Sequence, residues 1–241
     1  MTDQGGNAIH LSIVIPAFNE AKRLGPSLEA VRGYLAGKPF AGEIIVVDDG
    51  SADLTSTVAR EGLEGRLAFR LIRLETNHGK GYAVQTGVLA SSGDIILFTD
   101  ADLSTPIEEL DKFLPRFDAG CDVVIGSRAI PGSDIRVRQA RPRQAMGKLF
   151  NRIVRLLILK GFQDTQCGFK AFRRTAAMDL FSRLETPGFA FDVEILVMAG
   201  KLGYRIAEVP VVWRNSRPSR VRILRSSWQM LKELRRIRSL R

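Results

Sequence analysis

The 241 residues carry 36 Lys/Arg against 26 Asp/Glu, a net charge of +10, with only two cysteines and two histidines. That length suits one large α/β domain, and so little Cys and His excludes a disulfide framework and a histidine-based zinc site. The charge sits in two blocks on a mildly acidic body, residues 128–160 with nine Lys/Arg against Asp134 alone and residues 214–241 with ten against Glu233 alone, which points to one anionic surface or ligand. Cys121 and Cys167 fit small core positions in a reducing compartment. The short polar N-terminus leads us to expect no signal peptide. No apolar run reaches the roughly 20 residues that span a bilayer, so the chain is expected to lie on a membrane at most.

Residues 11–16 read as an apolar strand ended by Pro16-Ala17-Phe18-Asn19-Glu20, and Leu24, Leu28, Val31 and Leu35 place an amphipathic helix after it. A second buried strand over 43–47 ends in Asp48-Asp49-Gly50-Ser51, followed by a helix over about 53–64. A third strand over 67–74 and a helix over 79–91 precede the fourth strand, 95–98, which runs into Asp100 and Asp102. Thr105 as N-cap, Pro106 at the first helical position and Glu108 form a capping box for a helix to about 119. A fifth strand over 122–125 leads to Gly126-Ser127-Arg128. Strands alternating with helices imply a mostly parallel sheet with helices on both faces.

Past Arg128 the pattern changes. Residues 132–142 read as a polar, basic loop and 143–160 as an amphipathic helix with Lys148, Arg152 and Arg155 in a basic stripe. A polar loop over 164–170, a helix over 189–199 and a strand over 204–213 follow. Residues 214–222 are a basic loop, and the chain ends in a basic amphipathic helix with Leu224, Trp228, Leu231, Leu234 and Ile237 near one face. Residues 1–213 are thus expected to form the catalytic domain. Residues 214–241 form a membrane-surface element or, alternatively, a partner-binding helix.

Three strands end in acidic turns: Asn19/Glu20, Asp48/Asp49 and Asp100/Asp102. In a parallel sheet these ends share one rim, where carboxylates repel unless a cation or a donor-rich ligand sits among them. A nucleoside diphosphate with a divalent metal meets that demand. For Asp100 and Asp102 alone, a capping or salt-bridged loop pair is the competing account. The glycine fingerprint of a dinucleotide fold is missing after the first strand, and Gly79-Lys80-Gly81 lacks the Ser/Thr of a P-loop.

Together with these turns, Asn77-His78-Gly79-Lys80-Gly81 and Gly126-Ser127-Arg128 resemble the family 2 inverting glycosyltransferases. Asp164-Thr165-Gln166-Cys167-Gly168-Phe169-Lys170 and Phe191-Asp192-Val193-Glu194 are similar to the polyprenyl-phosphate (dolichyl-phosphate) sugar synthases, closest to the dolichyl-phosphate glucosyltransferase branch. The resemblance implies a GT-A, Rossmann-like single domain, a nucleotide-sugar donor, Mg²⁺ or Mn²⁺, and a lipid monophosphate acceptor. It assigns Pro16, Phe18, Glu20, Val47, Asp49, Lys80, Asp100 and Ala101 to the nucleotide-sugar pocket and Asp100 with Asp102 to the metal. Arg128 meets phosphate, and Asp102, Arg128, Asp164 and Asp192 form the catalytic set. The mannosyl-phosphate synthases usually carry Gln where this chain has Ser104, so Ser104 favours a glucosyl donor.

The implied reaction is attack by the acceptor phosphate on the anomeric carbon with inversion. A phosphate monoester is largely a dianion at neutral pH, so cations to hold it matter more than a strong base. Arg128, Arg143 and Lys148 are the candidates, with solvated surface charge as the competing reading of the last two. Asp164 and Asp192 serve as bases, as sugar contacts or as loop braces. The best expectation is glucose from UDP-glucose onto a polyprenyl phosphate, by a protein peripheral on the cytoplasmic membrane face. The alternatives are GDP-mannose as donor or a soluble acceptor. A nucleic-acid-binding role leaves the acidic rim unexplained, and a dead scaffold leaves the Asp100/Asp102 pair unexplained.

Overall fold

The computed structural model describes residues 10–63, 68–137, 161–214, 233, 236 and 237. β1 (Leu11–Ala17), β2 (Gly42–Asp48), β4 (Ile95–Thr99) and β5 (Val123–Ser127) are almost wholly buried, because layers on both sides of the sheet cover them. With β3 (Ala68–Arg73), β7 (Phe169–Arg173) and β8 (Ile206–Pro210) they form a seven-stranded sheet in the order β3-β2-β1-β4-β7-β5-β8. All its pairings are parallel except those of β7, which runs antiparallel between β4 and β5.

Side chains alternate between the two faces. Val14, Ile45, Val47, Ile96 and Phe98 pack under α3 (Lys80–Leu89), α5 (Arg174–Ser182) and α6 (Phe191–Lys201). Ile13, Ile15, Ile44, Val46 and Leu97 pack under α1 (Ala21–Ala36), α2 (Thr55–Leu63) and the segment around Phe113 and Phe117. At Gly87 the helix α3 lies so close to the sheet that a Cβ would stand 2.4 Å from Val14. The strand order turns back between β1 and β4, and at such a reversal the loops at the carboxyl ends of the strands splay apart and leave a crevice.

The helix expected over 106–119 is instead a 3₁₀ segment, Ile107–Lys112, then α4 (Leu114–Asp118). Pro115 has no N–H for an i→i−4 bond and breaks the run. The capping box does not form: no side chain caps the 3₁₀ segment, and the buried Thr105 hydroxyl faces Cys167 Sγ at 3.8 Å.

Strands also occur where loops were expected. β7 emerges from the end of the 164–170 stretch, and β6 (Asp134–Val137) lies in the expected basic loop. The expected 204–213 strand divides at Pro210: β8 stays in the main sheet, and β9 (Val212–Arg214) leaves to pair with β6 in parallel. The expected 143–160 helix and most of the C-terminal helix lie outside the described residues. Of the C-terminal helix, Ile237 is buried in the core with α5 and α6.

Candidate active site

The turns after β1 and β2 are stitched together. Asn19 adopts a left-handed φ of 55°, a conformation that Asn tolerates better than most residues. Its N–H donates to Ser51 Oγ at 2.9 Å, and its Oδ1 accepts the Ala52 N–H at 3.0 Å. Asp48 is fully buried and braces the same turn by accepting the Ser51 N–H at 2.9 Å and the Ser56 hydroxyl. Asp49 accepts from His78 N at 2.8 Å, Gly79 N at 2.9 Å and Asn77 Nδ2 at 2.8 Å. Burial raises the Asp49 carboxyl above the usual range against the pull of those amides. It therefore anchors the 77–79 loop, with about one of four acceptor positions left for a ligand.

Asp100 and Asp102 stand on the turn at the carboxyl end of β4. Lys80 Nζ lies 2.6 Å from Asp100 Oδ1. Arg23 forks onto Glu20, with Nε at 2.6 Å and Nη2 also bonded, and its Nη1 reaches Asp102 Oδ2 at 3.2 Å. Burial, with the Asp100 charge next, pushes the Asp102 carboxyl up, and the Ser104 hydrogen bonds oppose this. Burial pulls the Lys80 ammonium down, but Asp100 and Asp192 outweigh it and the net shift is upward. A Cβ on Gly168 would stand 2.1 Å from Asp100 Oδ2, so that glycine leaves the space the carboxylate fills.

Among the described residues no group of three or more His, Cys, Asp or Glu is placed to hold a metal. Two carboxylates beside a crevice do suit Mg²⁺ or Mn²⁺, which commonly take one or two protein carboxylates and complete their shell with phosphate oxygens and water. The Asp100 side chain, 39% exposed, is open to such a ligand.

Arg128, part-buried, forks onto the buried Asp164. Arg128 donates through Nε at 2.6 Å, Nη2 at 2.9 Å and its backbone N–H at 3.0 Å. Burial alone would raise the Asp164 carboxyl, but the Arg128 charge and hydrogen bonds hold it below the usual range. Trp213 stacks 5.6 Å from the guanidinium. Deeper in, Lys170 is fully buried and donates to Asp192 Oδ1 and the Cys167 carbonyl, each at 2.6 Å. Burial pushes the Cys167 thiol up to about 11, which leaves it inert at neutral pH.

Glu20, Asp49, Lys80, Asp100, Asp102 and Phe18 gather at the ends of β1, β2 and β4. Phe18 is 43% exposed and Pro16 half-buried. Val47 and Ala101 are not open to the pocket, because their side chains are buried in the two core layers. Any contact they make with a ligand is through the main chain. Arg143 and Lys148 lie outside the described residues. Sequence reasoning missed Arg23, although its place three residues after Glu20 on a helix was a usable signal. It also missed Lys170 as the charge partner of Asp192, and Trp213.

The model of Glycosyl transferase family 2 matches residues 12–181. A dolichyl-phosphate beta-glucosyltransferase of Dictyostelium discoideum is 38% identical over 244 residues, covering 95% of this chain and 74% of that protein. The protein of that name from Homo sapiens is 37% identical, with 95% and 74% covered. Among solved structures, glucosyl-3-phosphoglycerate synthase from Mycobacterium tuberculosis in complex with Mn²⁺, uridine diphosphate and glucosyl-3-phosphoglycerate superposes with a TM-score of 0.74 at 22% identity. It covers 98% of this chain and 81% of its own. At that identity the likeness carries the fold, a GT-A glycosyltransferase fold, and no more.

Proposed function

The chain belongs to glycosyl transferase family 2 and is a glycosyltransferase, and from that premise we propose that it transfers glucose from UDP-glucose to dolichyl or another polyprenyl monophosphate. The observation that carries this reading is the rim itself: Asp100 and Asp102 at the end of β4, flanked by Lys80 and Arg23. The sugar and the lipid rest on the relatives' names and on Ser104 in the position that favours a glucosyl donor.

Asp100 and Asp102 would hold Mg²⁺ or Mn²⁺ against the donor diphosphate, where the cation stabilises the charge of the departing UDP. The remaining work falls to the chain. Lys80 and Arg23 add fixed positive charge beside the diphosphate, and fixed charge in a partly dry crevice costs no reorganisation as the bond breaks. Arg128 receives the acceptor phosphate, since Asp164 engages only two of its five side-chain N–H groups. A phosphate oxygen attacks the anomeric carbon opposite the UDP oxygen. The new C–O bond forms as the old one breaks, and the configuration inverts. No base is needed for a dianionic nucleophile, and a carboxylate held low by Arg128 is a poor one. Asp164 therefore orients Arg128, and Asp192 holds Lys170.

We further place the protein on the cytoplasmic face of a membrane, with residues 214–241 as the surface element and Arg143 and Lys148 near the acceptor phosphate. Support comes from where the basic blocks lie. β6 and β9 run parallel, β6 within the first block and β9 ending at the start of the second, and β9 is tied to the turn that carries Asp100 and Asp102 by the Arg214 N–H to the Ser104 carbonyl at 2.7 Å. No helix of the described residues is long and apolar enough to cross a membrane.

Calorimetry tests the donor. UDP-glucose with Mg²⁺ is expected to bind at least about tenfold more tightly than GDP-mannose, and EDTA to weaken it by a similar factor, since each such contact set is worth about 1.4 kcal/mol or more. Tighter binding of GDP-mannose contradicts the glucosyl reading.

A further inference from the structure

Glu194 belongs to the Phe191–Glu194 motif but has no part in the transfer chemistry. It is 1% exposed on α6, and a carboxylate so buried needs donors and a countercharge. It accepts the Glu185 N–H at 3.1 Å, the Thr186 N–H at 3.0 Å and the Thr186 hydroxyl. The countercharge is Arg236: its Nη2 donates to Glu194 Oε2 at 2.7 Å and to Thr186 Oγ1 at 2.6 Å, and Nη1 bonds Glu185. The next residue, Ile237, is wholly buried. Residues 236 and 237 thus pack the described part of the C-terminal segment against the 185–186 corner and the core.

That corner presses on the donor side of the crevice. A Cβ on Gly81 would lie 2.4 Å from the Thr186 carbonyl oxygen, and one on Gly79 would lie 2.6 Å from that of Pro187. The Tyr82 N–H donates to the Pro187 carbonyl at 3.2 Å. Between these contacts stands Lys80, on Asp100, and the Gly79 N–H holds Asp49. Among the described residues the 79–82 turn thus rests on the 186–188 backbone and on Phe191 of α6, whose Cβ would stand 2.8 Å from a Cβ on Gly81. Glu194 holds the start of that backbone through the Thr186 N–H, and Arg236 braces it through the Thr186 and Glu194 side chains.

We propose that Arg236 is a positioning residue for the donor site: through Glu194 and Thr186 it braces the start of the 186–188 backbone that helps seat the Lys80 turn, so that the seating of residues 236 and 237 sets the crevice. The consequence for donor binding rests on the reading of Lys80 and Asp100 as diphosphate-side groups, whereas the consequence for the turn does not.

Amide hydrogen exchange on the full-length protein, with Arg236→Gln and Arg236→Lys, tests this. The Gln variant is expected to speed exchange at Gly79, Tyr82 and Thr186 by about tenfold or more while β1 and β2 amides keep their rates. The Lys variant, which keeps the charge but not the fork, is expected to fall between. Calorimetric UDP-glucose affinity with Mg²⁺ is expected to weaken about tenfold in the Gln variant, the lower end of the scale of a lost supporting contact. Faster exchange at the turn with unchanged UDP-glucose affinity supports the clamp and counts against the donor role of Lys80 instead. Unchanged exchange at Gly79 and Tyr82, or equal acceleration across β1 and β2, overturns the proposal. If the Gln variant does not fold, wild-type exchange at Tyr82 in Arg236→Lys overturns it equally.

Discussion

Asp102→Asn is expected to lower the proposed glucosyl transfer about 100- to 1,000-fold, the range seen when one preorganised group at a developing charge is lost, with little change in melting temperature. The reason for the second half lies in the wild-type site. Burial and the neighbouring Asp100 both disfavour the Asp102 charge, so neutralising it relieves strain even as it removes an anionic ligand. The amide still accepts the Ser104 N–H, now 3.0 Å from Oδ1, and Arg23 keeps its fork on Glu20. A shift within about 3 °C corresponds to about 1 kcal/mol in a chain of this size. Retained activity with a large loss of stability would mean that Asp102 is a structural residue.

Arg128→Ala is expected to be costly in both respects. It leaves Asp164, 1% exposed, as an uncompensated buried charge, a change that costs about 3–5 kcal/mol. It also removes the proposed grip on the acceptor phosphate. The pH dependence separates this cause from lost packing. In the wild type the Asp164 pKa is depressed, so its stabilising share is present above the unfolded aspartate value near 3.9 and is lost as pH falls through the lower folded value. In the variant the main force left is burial, which raises the pKa, so acidification protonates Asp164 and relieves the penalty. Urea unfolding of both proteins at pH 7.5 and pH 5 is therefore expected to show the gap narrowing at the lower pH. A constant gap would assign the loss to packing against Trp213.

The strands that were legible in the sequence are those covered on both faces. β1, β2, β4 and β5 read as mostly apolar runs because both faces are covered, and the buried polar residues they hold, such as Ser12 and Glu43, satisfy one another across strands at 2.6 Å. β7 escaped because Lys170, its second residue, reads as a loop residue. Its countercharge in the core is Asp192, 22 residues away, with the Cys167 carbonyl taking a second hydrogen bond. β6 and β9, of four and three residues, are too short for any periodicity to register. Pro115 was a visible warning against one continuous helix over 106–119. At the site, the acids of the three strand ends were legible because a strand's carboxyl end is marked by where its apolar run stops. Their cationic partners were less so: Arg23 meets Asp102 across 79 residues, and Arg236 meets Glu194 across 42. Pairings at that separation depend on the fold rather than on local pattern.

The reaction itself is tested most directly by product formation. Full-length protein with Mg²⁺ and a short polyprenyl phosphate in anionic vesicles would be given radiolabelled UDP-glucose, GDP-mannose and UDP-N-acetylglucosamine in separate reactions, and the organic phase extracted and identified. Label from UDP-glucose is expected to appear as a polyprenyl phosphoglucose of inverted anomeric configuration, and EDTA to abolish it. Folded protein that makes no glycolipid from UDP-glucose, or makes it only from GDP-mannose, would contradict the assignment.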